Sequence, residues 1–102
     1  MTLARVIGTV VSTHKALKIE GIKFLLLEKI DPLTQKGKND FVVSMDSVGA
    51  NAGELVFYVT GSSARLTNVT EGRPTDAAVI AIVDSIEKEG MYVYQKNISE
   101  PG

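Results

Sequence analysis

The sequence has no cysteine, no tryptophan and a single histidine. The absence of cysteine excludes a disulfide framework, a thiol nucleophile and a thiolate metal site, and one histidine excludes a multi-histidine metal centre within one chain. Apolar runs of the roughly 20 residues that cross a bilayer are also missing, and the N-terminus has no signal-peptide profile. We therefore expect a soluble protein of a reducing, intracellular compartment, with no metal, no cofactor and no membrane partner.

Charge of one sign is not in excess either. The 11 Lys and Arg residues meet 12 Asp and Glu residues, for a formal net charge of -1, and aromatic residues make up only 6% of the chain. A protein that binds single-stranded nucleic acid needs a positive groove and aromatic side chains on which bases stack. The composition therefore predicts no nucleic-acid partner. An OB-type binding module for single-stranded nucleic acid or a small ligand is the alternative function, because small barrels of that type often bind single strands.

Residues suited to catalysis are sparse. His14 is the only candidate general base near neutral pH, and a Ser-His-Asp triad would need Ser62 or Ser63 as its nucleophile. Both serines lie in the run GSSAR, which lacks the Gly-x-Ser-x-Gly elbow that exposes a nucleophile. The carboxylates are scattered, without the spacing of a calcium loop or a zinc site. We predict no catalytic residue, no metal ligand and no enzymatic activity.

Short β-rich segments, cut by glycine and polar loops, dominate the chain. Strands are predicted where β-branched and aromatic residues concentrate, at 5–13, 23–30, 41–48, 55–60, 79–87 and 91–95. Pro74 and the capping oxygens of Thr75 and Asp76 predict one helical turn at 75–78. An exposed loop is predicted at 31–40 and a hairpin turn at 88–90. Together these predict an all-β, OB-like barrel of five or six antiparallel strands, in a single domain over 1–102 with a loose tail at 96–102.

Several of these strands are apolar on both faces. In the second strand, for example, Leu25 and Leu27 alternate with Phe24 and Leu26. A barrel this small buries only one face of each strand in its own core, and the chain has no second layer to cover the other face. We therefore infer a homo-oligomer in which neighbouring subunits cover that face. The alternative is a monomer with scattered apolar residues on its surface.

Four ordered blocks of residues resemble a known family, the pentameric vertex proteins of bacterial microcompartment shells. They lie at 4–15 (ARVIGTVVSTHK), 48–54 (VGANAGE), 61–65 (GSSAR) and 74–84 (PTDAAVIAIVD). The group includes the vertex subunits of carboxysomes and of ethanolamine- and propanediol-utilisation compartments. The resemblance implies an OB-like barrel that assembles as a cyclic homopentamer and caps the vertices of a polyhedral shell in the cytoplasm. It also implies hexameric shell proteins as partners and a narrow axial pore.

The resemblance also implies the residues that line the pore or the subunit interface. They are Gly49, Gly53, Glu54, Gly61, Ser62, Ser63, Ala64 and Arg65. Most are small, which would let the backbones of five chains come close to one axis. Glu54 and Arg65 carry opposite charges, and we expect them to pair within or across subunits.

Overall fold

Seven strands form the secondary structure of the residues that the computed structural model describes, 1–11, 23–61 and 77–96. In chain order they are β1 (Thr2–Val10), β2 (Phe24–Ile30), β3 (Gly37–Asp46), β4 (Leu55–Thr60), β5 (Ala77–Ile82), β6 (Ser85–Lys88) and β7 (Met91–Gln95). The first five close into a barrel in the order β1-β2-β3-β5-β4, and β6 and β7 pair as a separate two-stranded sheet. No α-helix occurs within these three ranges. Across the described residues, no helix is long and apolar enough to span a membrane.

The barrel closes through one parallel seam. β3 and β5 run parallel, with Met45 beside Ala78 and Asp46 beside Val79, while the other pairs in the barrel are antiparallel. Strands that alternate in direction around a closed ring must be even in number, so a ring of five contains at least one parallel pair. The predicted OB-like barrel is confirmed, but the prediction that all its strands pair antiparallel is wrong for this reason.

The predicted helical turn at 75–78 and the single strand at 79–87 are both wrong where the structure describes them. Ala77 and Ala78 already belong to β5, and Ala77 lies opposite Thr60 of β4; residues 75 and 76 lie outside the described ranges. Pairing with β4 therefore keeps the backbone extended at both alanines. The strand breaks after Ile82, because the Val83 amide turns to donate a hydrogen bond to the Leu55 carbonyl at 2.8 Å. The chain then resumes as β6 in the second sheet.

The loop predicted at 31–40 is shorter than expected. Asp31 organises a turn, since its carboxylate accepts the amide protons of Leu33 at 2.8 Å and Thr34 at 3.1 Å. β3 begins at Gly37 rather than residue 41. It includes Asn39 at a positive φ of 55°, whose amide donates to Glu28 Oε2 at 3.0 Å. That side-chain bond stabilises polar residues in a strand that composition alone would not predict.

Two other strand bounds differ by a few residues. β1 runs from Thr2 to Val10 instead of 5–13, and residues 12 and 13 lie outside the described ranges. β3 ends at Asp46 instead of residue 48, because the Asp46 side chain bonds the following backbone into a turn.

Alternate residues of each strand fill the barrel. The buried interior cluster consists of Ala4, Val6, Leu25, Leu27, Ala50, Val56, Tyr58, Ala77 and Val79. A second buried cluster, formed by Ile30, Leu55 and Val83, packs with Ile86 and Tyr94 of the separate sheet and so joins that sheet to the barrel. Burial of these apolar side chains is the main favourable contribution to folding.

The outward face of the barrel keeps much of its apolar character. In β3, Val42 packs against the interior while Phe41 and Val43 are about half exposed. Ile7 of β1 is also exposed. Strict alternation along β3 would place Met45 on the same face as Phe41 and Val43, but Met45 is fully buried. The described part of a single chain therefore leaves large apolar side chains in water, as the two-faced strand pattern predicted.

Candidate subunit interface

The loop between β3 and β4, residues 47–54, holds three of the predicted site residues, and Asp46 organises its first half. Asp46 Oδ1 accepts hydrogen bonds from the amides of Val48 at 3.0 Å, Gly49 at 2.9 Å and Ala50 at 3.3 Å. The Asp46 side chain is only 3% exposed. A carboxylate that gathers successive N–H groups satisfies donors that would otherwise lack protein partners, so it fixes the direction in which the loop leaves β3.

Two further contacts bind this loop to neighbouring strands. Lys23 Nζ donates to the Ala50 carbonyl at 3.2 Å and lies 4.0 Å from Asp46 Oδ2. The Ser47 hydroxyl donates to the Val79 carbonyl of β5. The methyl group of Ala50 is fully buried in the barrel cluster. The loop is thus attached to the start of β2, to β5 and to the core.

Gly49 and Gly53 adopt backbone conformations that other residues avoid. Their φ angles are +79° and +90°, and an added Cβ at either position would meet no atom within 4 Å among the residues that the structure describes. Within one chain these glycines are therefore required by backbone conformation and not by lack of space. Gly61, at φ +65° and also with open space around it, ends β4 in the same way.

Glu54 closes the loop and ties it to the end of β7. Its Oε1 accepts the Asn51 amide at 2.6 Å, and its Oε2 lies 3.0 Å from Lys96 Nζ. The Asn51 amide, and after it the Lys96 ammonium, hold the pKa of the Glu54 carboxyl below its ordinary value. The hydrogen bond to Glu54 raises the pKa of Lys96 in turn. The carboxylate is therefore ionised and engaged within its own chain.

The Glu54–Lys96 pair was missed by the sequence reasoning, which expected Arg65 as the partner of Glu54. Arg65, like Ser62, Ser63 and Ala64, lies outside the described residues, so pairing with it stays a prediction. Lys96 belongs to the segment that was predicted to be a loose tail, and no sequence motif marks it. Its position depends on the Lys96 amide, which donates to the Asp84 carbonyl at 2.7 Å and places Lys96 beside the barrel.

The candidates for catalysis, His14, Ser62 and Ser63, all lie outside the described ranges. Among the residues that are described, no three or more His, Asp or Glu side chains form a group that could hold a metal ion.

Comparison with known proteins identifies the family. A family model described as "Ethanolamine utilisation protein EutN/carboxysome" matches residues 1–84. The chain belongs to the EutN/CcmL family. The resemblance seen in the four sequence blocks is thereby confirmed.

Members of the EutN/CcmL family match this chain along nearly its whole length. The carboxysome shell vertex protein CcmL of Synechococcus elongatus is 43% identical over 96 residues, which cover 94% of this chain and 96% of that protein. The bacterial microcompartment shell vertex protein EutN of Escherichia coli is 39% identical over 98 residues, which cover 94% of this chain and all of that protein.

Solved structures of the EutN/CcmL family share the fold. The structure of CcmL from Nostoc sp. PCC 7120 superposes with a TM-score of 0.87 at 43% identity, covering 94% of this chain and 100% of that chain. The structure described as the GrpN pentameric microcompartment shell protein from Rhodospirillum rubrum has a TM-score of 0.76 at 40% identity and covers 86% of this chain and 99% of that chain. The barrel is therefore the common architecture of the family.

Proposed function

We propose that this chain is a structural subunit of a bacterial microcompartment shell, where it caps the vertices as a cyclic homopentamer in the cytoplasm. The observation that carries the proposal is the match over 94% of the chain to proteins named as shell vertex proteins, together with a pentameric relative of the same fold. A flat layer of hexagons needs pentagons to close into a polyhedron, and a five-membered ring supplies them.

The barrel has surfaces suited to such a ring. Closure pairs each barrel strand on both sides, so copies cannot associate by adding strands to a barrel edge. The barrel therefore offers side chains to a neighbouring copy, and Ile7, Phe41 and Val43 are exposed apolar side chains on its outside. In a cyclic ring two different faces of each subunit meet, which is a heterologous contact.

We further propose that the loop at 49–54 and the segment that begins at Gly61 lie at the axis or the subunit seam. This placement includes Gly49, Gly53, Glu54, Gly61, Ser62, Ser63, Ala64 and Arg65. Its support is the rigid anchoring of the loop by Asp46 and Glu54, with open space around each glycine. A loop held in this way presents backbone to a neighbour with little loss of conformational entropy on binding.

The proposal includes hexameric shell proteins as partners and no enzymatic activity. Its support is the relatives CcmL and EutN, which are named as shell vertex proteins and not for a reaction. The narrow axial pore stays a prediction of the ring.

Native mass spectrometry at several protein concentrations tests the proposal. The expected result is one species at five times the chain mass of 11.0 kDa. A stable monomer at all concentrations would overturn it. Co-expression with hexameric shell proteins tests the vertex role separately: shells should close into polyhedra with this chain and stay open or tubular without it.

A further inference from the structure

The two sides of β3 are paired over very different lengths. On the β2 side the pairing extends from Gly37 to Met45. On the β5 side only Met45 and Asp46 have partners among the described residues. Residues 40–44 form about 17 Å of extended backbone, and within the described part of the chain no strand lies beside them on the β5 side. We call this side of residues 40–44 the open edge.

The pairing of β3 with β2 determines which backbone groups face the open edge. The Asp46 amide donates to the Lys23 carbonyl at 2.9 Å, and in an antiparallel pair alternate residues direct their backbone groups to the partner strand. The even-numbered residues of β3 therefore bond to β2, whereas Phe41 and Val43 direct N–H and C=O away from it. Each of these two residues offers one donor and one acceptor at the open edge, and no described residue pairs with them there.

Two local features determine where the open edge begins and ends. At one end, pairing with β5 starts at Met45. At the other end, Asn39 has a positive φ of 55° and its amide donates to Glu28 Oε2 at 3.0 Å. Irregular backbone of this kind is one way in which proteins prevent strands from adding to an edge. It lies outside residues 40–44, so it limits the length of the open edge without covering it.

The side chains beside the open edge are apolar and exposed. Phe41 and Val43 are each about half exposed on the outside of the barrel. Both therefore combine unpaired backbone groups with a large apolar side chain that a neighbouring strand could cover. Proteins that bind an extended peptide by adding it to a sheet use this combination, in which the backbone supplies affinity and side-chain contacts supply specificity.

The charge available near the open edge is positive. Lys36 and Lys38 are exposed, and neither forms an ion pair with a described residue. The neighbouring carboxylates are already engaged, since Asp40 lies 3.1 Å from Lys29 Nζ and Glu28 accepts a backbone amide. An acidic partner is therefore favoured over a basic one by charge complementarity.

We propose that the open edge binds an extended acidic segment of a partner protein by strand addition. The segment bonds to the backbone of Phe41 and Val43, its apolar side chains pack on those two residues, and its carboxylate pairs with Lys36 or Lys38. The barrel strands of a second copy are already paired in their own ring, so the donor is a segment outside a barrel. The inference goes beyond the proposed vertex role and does not depend on it. At a vertex, the contact attaches another protein to the shell.

A labelled peptide tests strand addition directly. The probe is the synthetic peptide Ser-Val-Thr-Val-Thr-Asp-Glu with fluorescein at its N-terminus, and its binding to the purified full chain is measured by fluorescence anisotropy. Two N-methylated forms serve as matched controls, each methylated on one of the two alternating sets of amides. Only one set faces β3, so one form should bind as the parent does and the other about tenfold more weakly. Equal Kd values for the two forms, or no binding of the parent peptide, would overturn the proposal.

Substitutions in the chain test the same contact from the other side. Val43→Pro removes the N–H that faces the open edge and leaves the bonds to β2 in place, so it should weaken peptide binding by about tenfold. Val43→Thr is the matched control, because it keeps both the N–H and the branched side chain, and it should bind as the wild type does. Lys36→Glu with Lys38→Glu should weaken binding and reduce its dependence on salt. Equal affinity of the proline and threonine variants would contradict the backbone contact.

Hydrogen exchange measured residue by residue with NMR distinguishes the possible occupants. Without peptide, the amides of Phe41 and Val43 should exchange fast, and those of Val42 and Ser44, which bond to β2, should exchange slowly. The peptide should slow the first two and leave the others unchanged. Slow exchange of Phe41 and Val43 in the wild type without peptide would show that another copy covers the open edge, and it would overturn the proposal.

The outcomes separate this inference from the proposed function. Native mass is measured on the same samples. Wild-type rings of five chains that bind no peptide would overturn strand addition and leave the vertex role standing. A monomeric wild type that binds the peptide would instead overturn the proposed function and support strand addition.

Discussion

Replacement of Gly53 by alanine should lower the free energy of unfolding by about 1–2 kcal/mol. Gly53 has a φ of +90°, and its amide donates to the Val6 carbonyl at 2.7 Å. That bond ties the residue to β1, so the backbone cannot relax to an ordinary φ without breaking it. A Cβ at Gly53 would meet no atom of the described residues within 4 Å, so we expect the cost to be conformational.

Asparagine at the same position should cost less than alanine, because its short polar side chain tolerates the left-handed region. Gly8→Ala is the matched control. Gly8 also has open space at its Cβ but no positive φ, so alanine there should cost nothing. The measurement is urea unfolding followed by far-UV circular dichroism at equal protomer concentration, since oligomer stability depends on concentration.

If Gly53 lies at the subunit seam, the alanine and asparagine variants should rank in the opposite order for ring assembly. The larger asparagine side chain would then weaken the pentamer more than alanine, as measured by native mass on dilution. A Gly53→Ala variant as stable as Gly8→Ala would refute the conformational reasoning. Asparagine milder than alanine in assembly as well would refute the placement of Gly53 at the seam.

Two further predictions concern the carboxylates that hold this loop. Asp46→Ala should lower the free energy of unfolding by about 2 kcal/mol, because the amides of residues 48–50 lose a charged acceptor. Asp46→Asn should cost about half as much, since it keeps one acceptor oxygen; equal urea midpoints for the two variants would contradict this. The pKa of Glu54 is lowered from 4.5 in the folded chain, so its stabilising contribution is present above that pH and is lost as the pH falls through the lowered pKa. Urea titrations should therefore show wild type more stable than Glu54→Gln at neutral pH and the gap closing below about pH 4.5; a gap that is constant with pH would contradict the assignment.

The strands of the barrel were largely predictable because their signal is local. β2 and β4 fall within a residue of their predicted bounds, since alternating and β-branched residues specify an extended backbone whatever lies across the sheet. The errors occur where a residue distant in sequence determines where a strand begins or ends. β5 ends where the Val83 amide donates to the Leu55 carbonyl, and the polar start of β3 is stabilised by the bond from the Asn39 amide to Glu28.

The candidate site was predicted less completely. Gly49 and Gly53 were recognised as special positions, and the structure supplies a reason within one chain, their positive φ angles. The role of Asp46 had not been assigned, although an Asp followed closely by Gly is a turn signal that could have shown it. The partnership of Glu54 with Lys96 had no such signal, because it joins two segments far apart in sequence.

By itself, the sequence determined the class of the protein: an all-β chain without disulfide or thiolate chemistry, with strands apolar on both faces and four blocks typical of one family. These properties depend on residue type and local order, which a linear pattern retains. Only the tertiary structure decided the parallel seam between β3 and β5, the separation of β6 and β7 as a two-stranded sheet of their own and the buried cluster that joins that sheet to the barrel. Each of these depends on which residues, distant in sequence, become neighbours when the barrel closes. Barrel closure is a property of the whole fold and not of any one segment.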